Sequence, residues 1–157
     1  MAGLKQDYIL TQIDLLRRFV ARLAKKREEA GLEEALQLAF NLQERLFQMP
    51  PSDFLRLDVA HQIESLMAGE TKVDGTGKCL TYAQLLKETA TLYQIRGRDD
   101  LAAGARQLAL HVALSVAVAE PASAEKFKPL VDELDALVDR ANLHPPVLEL
   151  LNAYQRA

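Results

Sequence analysis

The sequence predicts an all-α chain of six or seven helices in stacked antiparallel hairpins. Three observations carry that expectation. Apolar residues recur at three- and four-residue intervals along most of the chain, the spacing that lines one face of a helix. No segment of useful length alternates with period two, as a half-buried strand would. Glycine and proline fall almost entirely into clusters, at Gly31, Pro50-Pro51, Gly69 to Gly77, Gly97, Pro121 and Pro145-Pro146, and these cut the chain into helix-sized pieces.

The elements follow in order. Ile9, Ile13, Leu16, Val20 and Leu23 cover one face of a first helix, and Gly31 stops it. Leu32, Ala35, Ala39, Leu42 and Leu46 repeat the pattern up to Pro50-Pro51, where the backbone ladder cannot continue. Residues 1–49 therefore form the first hairpin. Ser52 or Asp53 is placed to cap a short helix over 52–68. Residues 69–80, polar and with glycines at 69, 75 and 77, read as a flexible loop. Thr81 and Gln84 have the capping-box spacing that would start the next helix, which stops at Gly97, after which Asp99 is placed to cap another. Residues 81–119 make a second hairpin. Its second helix is the most apolar segment, with only His111 and Ser115 polar between Leu108 and Val118; Arg106, Gln107 and His111 argue for a buried central helix rather than a membrane span. Ser123 and Glu125 open the C-terminal helices, 123–157, with Pro129 marking where the regular part begins, Phe127 to Ala141 in one amphipathic stripe, and Val147, Leu148, Leu151 and Tyr154 in a last helix that caps the core or forms a homodimer contact.

With 157 residues, 49% of them hydrophobic, the chain suffices for one domain with a real core. A net charge of −3 argues against a dedicated nucleic-acid binder. The balance is uneven: residues 1–98 hold 14 basic and 13 acidic side chains, residues 99–157 hold 5 and 9. The single cysteine, Cys79, cannot form an intramolecular disulfide, and together with an opening that lacks the order of a secretory signal it makes a cytoplasmic location the expectation.

Residues 83–114 resemble a tetratricopeptide repeat: Ala90, Tyr93, Gly97, Ala102 and Ala109-Leu110 stand at that unit's small, aromatic and turn positions. Arg106 replaces an aromatic, and no proline ends the unit. Gly31 with Glu33-Glu34-Ala35 is similar to a second turn of this type. Asp7-Tyr8-Ile9-Leu10 with Ile13 and Phe19, and Leu32-Glu33-Glu34-Ala35-Leu36, also look like a family of small uncharacterised bacterial proteins with repeat-like hairpins. The resemblance implies a right-handed helical array that holds partners; it supplies no catalytic residues.

The chemistry-bearing patterns are sparse. Asp74-Gly75-Thr76-Gly77-Lys78 lacks a phosphate loop's first glycine, where Lys72 stands, and its hydroxyl after the lysine, where Cys79 stands. His61 and Glu64 are half of a di-metal carboxylate motif whose other half is missing. His111 reads as a core histidine and His144 as a helix-start residue. Cys79 would be reactive if exposed, although no base is identified for it. No cofactor or metal is called for.

Charge on the first helix carries more physical content. Arg17, Arg18, Arg22, Lys25, Lys26 and Arg27 come without an intervening acid. With Arg17 at zero, Arg18, Arg22, Lys25 and Lys26 fall between about 80° and 180°, beside the apolar face at about 200–320°. Such like charges want acidic company, from Glu28, Glu29, Glu33 and Glu34 or from Asp132, Asp135 and Asp139. Otherwise the stripe is simply solvated, or it docks an acidic peptide, a chain-terminal carboxylate, a nucleic-acid backbone or an anionic membrane surface. Gln84, Lys87, Thr91 and Gln94 form a second polar stripe, at the position that lines the concave groove in a tetratricopeptide-like unit.

The expected function is that of a non-enzymatic interaction module that binds a protein or peptide partner, or a second copy, through Arg18, Arg22, Lys25, Gln84, Lys87, Thr91 and Gln94. The alternatives are a small-molecule binder or enzyme with a pocket near His111, and a weak nucleic-acid binder acting through the basic helix.

Overall fold

The computed structural model describes residues 2–26 and 31–156. Eight α-helices follow one another: α1 (Ala2–Lys26), α2 (Leu32–Phe47), α3 (Pro51–Leu55), α4 (Val59–Met67), α5 (Lys72–Ile95), α6 (Asp99–Ala119), α7 (Ala124–Leu137) and α8 (Pro145–Arg156). Short 3-10 turns at Pro121–Ser123 and Arg140–Asn142 precede α7 and α8. No strand occurs among the described residues. The chain is thus all-helical.

The expected punctuation holds at two glycines. Gly31 adopts φ +87° at the start of α2, and a Cβ there would lie 3.0 Å from the ring of Phe19, so both backbone and space require glycine. Gly97 closes α5 with φ +86°. The positions between Lys26 and Gly31, including Arg27, Glu28 and Glu29, lie outside the described residues.

Four expectations are corrected. Among the described residues the helix count is eight rather than six or seven, because 52–68 is two helices: α3 ends at Leu55, and Asp58, not Ser52 or Asp53, caps α4 by accepting the His61 N–H at 2.9 Å. The flexible loop over 69–80 is only a short turn. Thr71 accepts the Asp74 N–H at 3.1 Å and starts α5 ten residues before Thr81, whose hydroxyl instead donates to the Gly77 carbonyl at 2.9 Å inside the helix. Asp99 is the first residue of α6 rather than its cap, and Asp100 folds back onto Arg98 in two hydrogen bonds of 3.1 and 3.0 Å. Finally, α7 begins five residues before Pro129 and stops at Leu137, so Ala141 belongs to a 3-10 turn, not to the stripe.

The reason α5 reads poorly from sequence is its place. It packs against α6 as the central hairpin, against α1 and α2 on one side, against α7 on the other, and beneath α4. A helix with neighbours nearly all round shows no one-sided apolar period. Gly75 is retained inside it because α4 crosses closely: a Cβ at Gly75 would lie 3.1 Å from Met67 Cγ and 3.3 Å from Met67 Cα. The α7–α8 pair completes the fold, both helices packing on α6. Although α6 is long and apolar enough to cross a membrane, here it packs on α4, α5, α7 and α8.

Leu16, Leu42, Leu85, Leu110, Leu114 and Leu134 bring five helices into one core. At its α4 end Phe47 and Phe54 stack 3.7 Å apart and both meet the Tyr82 ring edge-on at 5.2 and 5.4 Å. The Tyr82 hydroxyl, buried with them, donates to Gln62 Oε1 at 3.0 Å, while Gln62 Nε2 donates to the Leu57 carbonyl at 3.1 Å. The two polar side chains taken into this end of the core, Tyr82 and Gln62, are therefore paired.

Candidate functional site

Turning α5 through 100° per residue separates its faces. Leu80, Gln84, Lys87, Thr91 and Gln94 fall within an arc of about 80°, and this is the line along which the buried helix stays open: Gln84, Lys87 and Thr91 are half-buried and Gln94 is exposed. α1 and α7 pack on α5 from either side. The four polar residues singled out in the sequence thus share one partly open seam.

The seam is held by charge. Lys87 Nζ lies 3.4 Å from Glu88 Oε1 and also pairs with Glu133 of α7, while Arg17 Nε of α1 lies 3.6 Å from the same Glu88 oxygen. Side-chain exposure is 6% for Glu88 and 15% for Lys87, against 46% for Arg17 and 56% for Glu133. A buried carboxylate is stable only with such partners. Further along, the Thr91 hydroxyl donates to the Lys87 carbonyl at 3.4 Å, and Gln94 accepts a hydrogen bond from Arg106 of α6. Arg106 Nε is buried without a partner, and burial pulls its guanidinium below the usual arginine range. Two cations, Arg17 and Lys87, therefore meet two carboxylates, Glu88 and Glu133, along the seam, and a third, Arg106, reaches only the Gln94 amide.

Sequence reasoning missed Glu88, Glu133 and Arg106, which become neighbours only through the packing of α1, α6 and α7 on α5. The available signal was an acid next to Lys87, the only one between Gly75 and Ile95.

Arg18, Arg22 and Lys25 are exposed on α1, and Arg22 Cζ stands 5.2 Å from the centre of the Phe19 ring. On the helical wheel they occupy the face next to Arg17, so the basic surface adjoins the seam without lining it. Of the acids expected to neutralise it, four are engaged elsewhere: Glu33 with Arg96, Asp132 with Lys128, Asp135 with Arg140, and Asp139 on the Ala141 N–H. Among the described residues no carboxylate pairs with Arg18, Arg22 or Lys25.

The other candidates resolve as structure. His61 Nδ1 lies 2.7 Å from the capping Asp58, whose hydrogen bond raises the imidazole pKa while its own carboxyl is lowered, chiefly by the His61 backbone N–H. Among the described residues no three His, Cys, Asp or Glu side chains are grouped to hold a metal. Cys79 is fully buried in α5 and its thiol is pushed up to about 12 by burial, so the reactivity expected of an exposed thiol is absent. Half-buried His111 is lowered by burial first and by His144 second. It lines neither the cavity of about 460 Å³ beside Tyr154 nor the one of about 530 Å³ between α2 and α6. Val147 and Leu151 are buried in the core, with Leu148 and Tyr154 half-buried. No family model, curated protein or solved structure matches this chain.

Proposed function

We propose that this protein is a non-enzymatic interaction module that holds a protein or peptide partner in the seam over α5, with the basic surface of α1 drawing in an acidic one. The reading rests on one observation: along Gln84, Lys87, Thr91 and Gln94, α5 presents a line of half-buried to exposed polar side chains, with α1 and α7 both packed on the helix.

A tetratricopeptide-like arrangement belongs to the same proposal. The pairs α1–α2, α5–α6 and α7–α8 would be successive hairpins, with α1, α5 and α7 forming the layer that faces the partner. Two features support it: α1 and α7 each pack on α5, and α8 packs on α6. Its departures from such an array are the α3–α4 insertion, the arginine at position 106, and the α7–α8 pair, whose helices both pack on α6 but scarcely on each other.

The test is site-specific photocrosslinking in the cells that make the protein. A crosslinking side chain at Gln84 should capture a discrete partner, and the same group at Ser115, on the half-exposed outer face of α6, should not. Equal capture from both positions, or none from Gln84, contradicts the proposal.

A further inference from the structure

Opposite the seam, α5 carries a second line of residues: Gly75, Tyr82, Leu86, Thr89 and Tyr93 fall within an arc of about 60°. Its N-terminal half is covered by α4, through Met67 over Gly75 and Gln62 on Tyr82. In its C-terminal half none of the described residues takes α4's place. There, a trough of about 530 Å³ runs between α2 and α6, with Leu86, Thr89 and Tyr93 in its lining and Pro51 and Leu55 of α3 beside them.

Three of the seven exposed large apolar side chains among the described residues line this trough: Phe40 (39%), Leu55 (45%) and Leu101 (40%). Apolar side chains scattered singly over a surface need no explanation, whereas a shared concave site marks a place of contact. The wall contributed by α6 includes Gly104, and a Cβ built there meets nothing within 4 Å. Gly104 has neither a positive φ nor a close neighbour to justify it, yet a glycine inside a helix costs about 1 kcal/mol relative to alanine. Gly75 shows what such a residue does in this fold, since it lets a helix cross at van der Waals distance. Gly104 leaves the same room on the empty half.

We propose that this trough is a docking site for a short amphipathic helix of a partner protein, lying over α5 between α2 and α6 as α4 does in the other half. It is independent of the seam and of the function proposed for it. Leu86 to Tyr93 spans about 10 Å along α5, room for roughly two turns, so the occupant presents apolar residues at i, i+4 and i+7 and a small residue toward Gly104. The nine-residue α4, with Val59, Ile63, Leu66 and Met67, is the internal example of such a helix.

The experiment is selection from a displayed library of helical peptides of about twelve residues against the full chain, followed by affinity measurement on purified variants. Gly104→Trp fills the trough from open space, and Leu101→Gln removes an exposed apolar wall without touching the buried core. Selected peptides should carry apolar residues at i, i+4 and i+7. Their affinity should fall at least about tenfold, or 1.4 kcal/mol, with either variant, while Glu149→Lys on the exposed face of α8 leaves it unchanged; circular dichroism checks that each variant is folded. Failure to recover a helical binder, or binders that ignore both variants, overturns the proposal. So does a concentration-dependent dimer of the wild type that Gly104→Trp abolishes, because the occupant would then be a second copy.

Discussion

Arg17 of α1 and Glu88 of α5, 71 positions apart in the sequence, meet with Nε 3.6 Å from Oε1, and Lys87 shares the same carboxylate oxygen at 3.4 Å. The pairings tie α1, α5 and α7 together at the seam. Lys87→Met leaves buried Glu88 with one half-exposed partner and should lower stability by about 2–3 kcal/mol. Arg17→Met should cost about 1 kcal/mol or less, because solvent screens a guanidinium that is 46% exposed. In a Glu88→Gln background the cost of Lys87→Met should shrink by more than half, as read from urea unfolding. Equal costs in both backgrounds would mean that the two groups are not coupled.

The helical glycines separate packing from propensity. Gly104→Ala meets open space and should stabilise by about 0.5–1 kcal/mol. Gly75→Ala meets the backbone and side chain of Met67 at 3.1–3.3 Å and should come out about 1–2 kcal/mol less stable than Gly104→Ala, the difference being the forced displacement of α4. Thermal unfolding of the two variants side by side checks this order.

These residues also show what the sequence made legible. The one-sided helices α1, α2 and α8 announce themselves by period, and Gly31 and Gly97 by conformation. α5 does not, because neighbours on several sides remove its period and because Gly75 and Gly77 resemble a loop until Met67 explains the first of them. The polar stripe from Gln84 to Gln94 was readable because helical spacing is local. Glu133, Arg17 and Arg106 were not assignable to it, because their contacts cross between helices. The trough had a local trace: Phe40 lies off the apolar stripe of α2 that Leu32, Ala35, Ala39, Leu42 and Leu46 define.

Two histidines should titrate in opposite directions from their ordinary value. His61 is raised by its hydrogen bond to Asp58 and His111 is lowered by burial. For His61 the folded pKa exceeds the unfolded one, so its contribution to stability is full below the unfolded pKa and fades as pH rises through the folded value. Asp58 is lowered, so its share is present above the unfolded carboxyl pKa and is lost as pH falls through the folded one. His111 resists protonation in the fold, and acidification below the ordinary histidine range should therefore destabilise. NMR titration of the imidazole protons resolves both, and Asp58→Asn should return His61 toward its ordinary value while leaving His111 where it was.

Cys79 should be silent toward thiol reagents. Its side chain is fully buried and its pKa is about 12, so at pH 8 the native thiolate fraction is on the order of one in ten thousand. Labelling by a disulfide reagent should follow the opening of the fold and accelerate with added urea. Immediate stoichiometric labelling of the native protein would contradict the burial of α5.

The account's central claim is that the α5 seam and the adjoining surface of α1 form one partner-binding face. Its most direct measurement is the affinity of the partner captured at Gln84 for the wild type, for Gln84→Ala/Thr91→Ala and for Arg18→Glu/Arg22→Glu/Lys25→Glu, at low and high salt. The seam variant should weaken binding at both salt concentrations. The charge-reversal variant should weaken it mainly at low salt, where exposed charges are least screened. Wild-type affinity in both variants would contradict that claim.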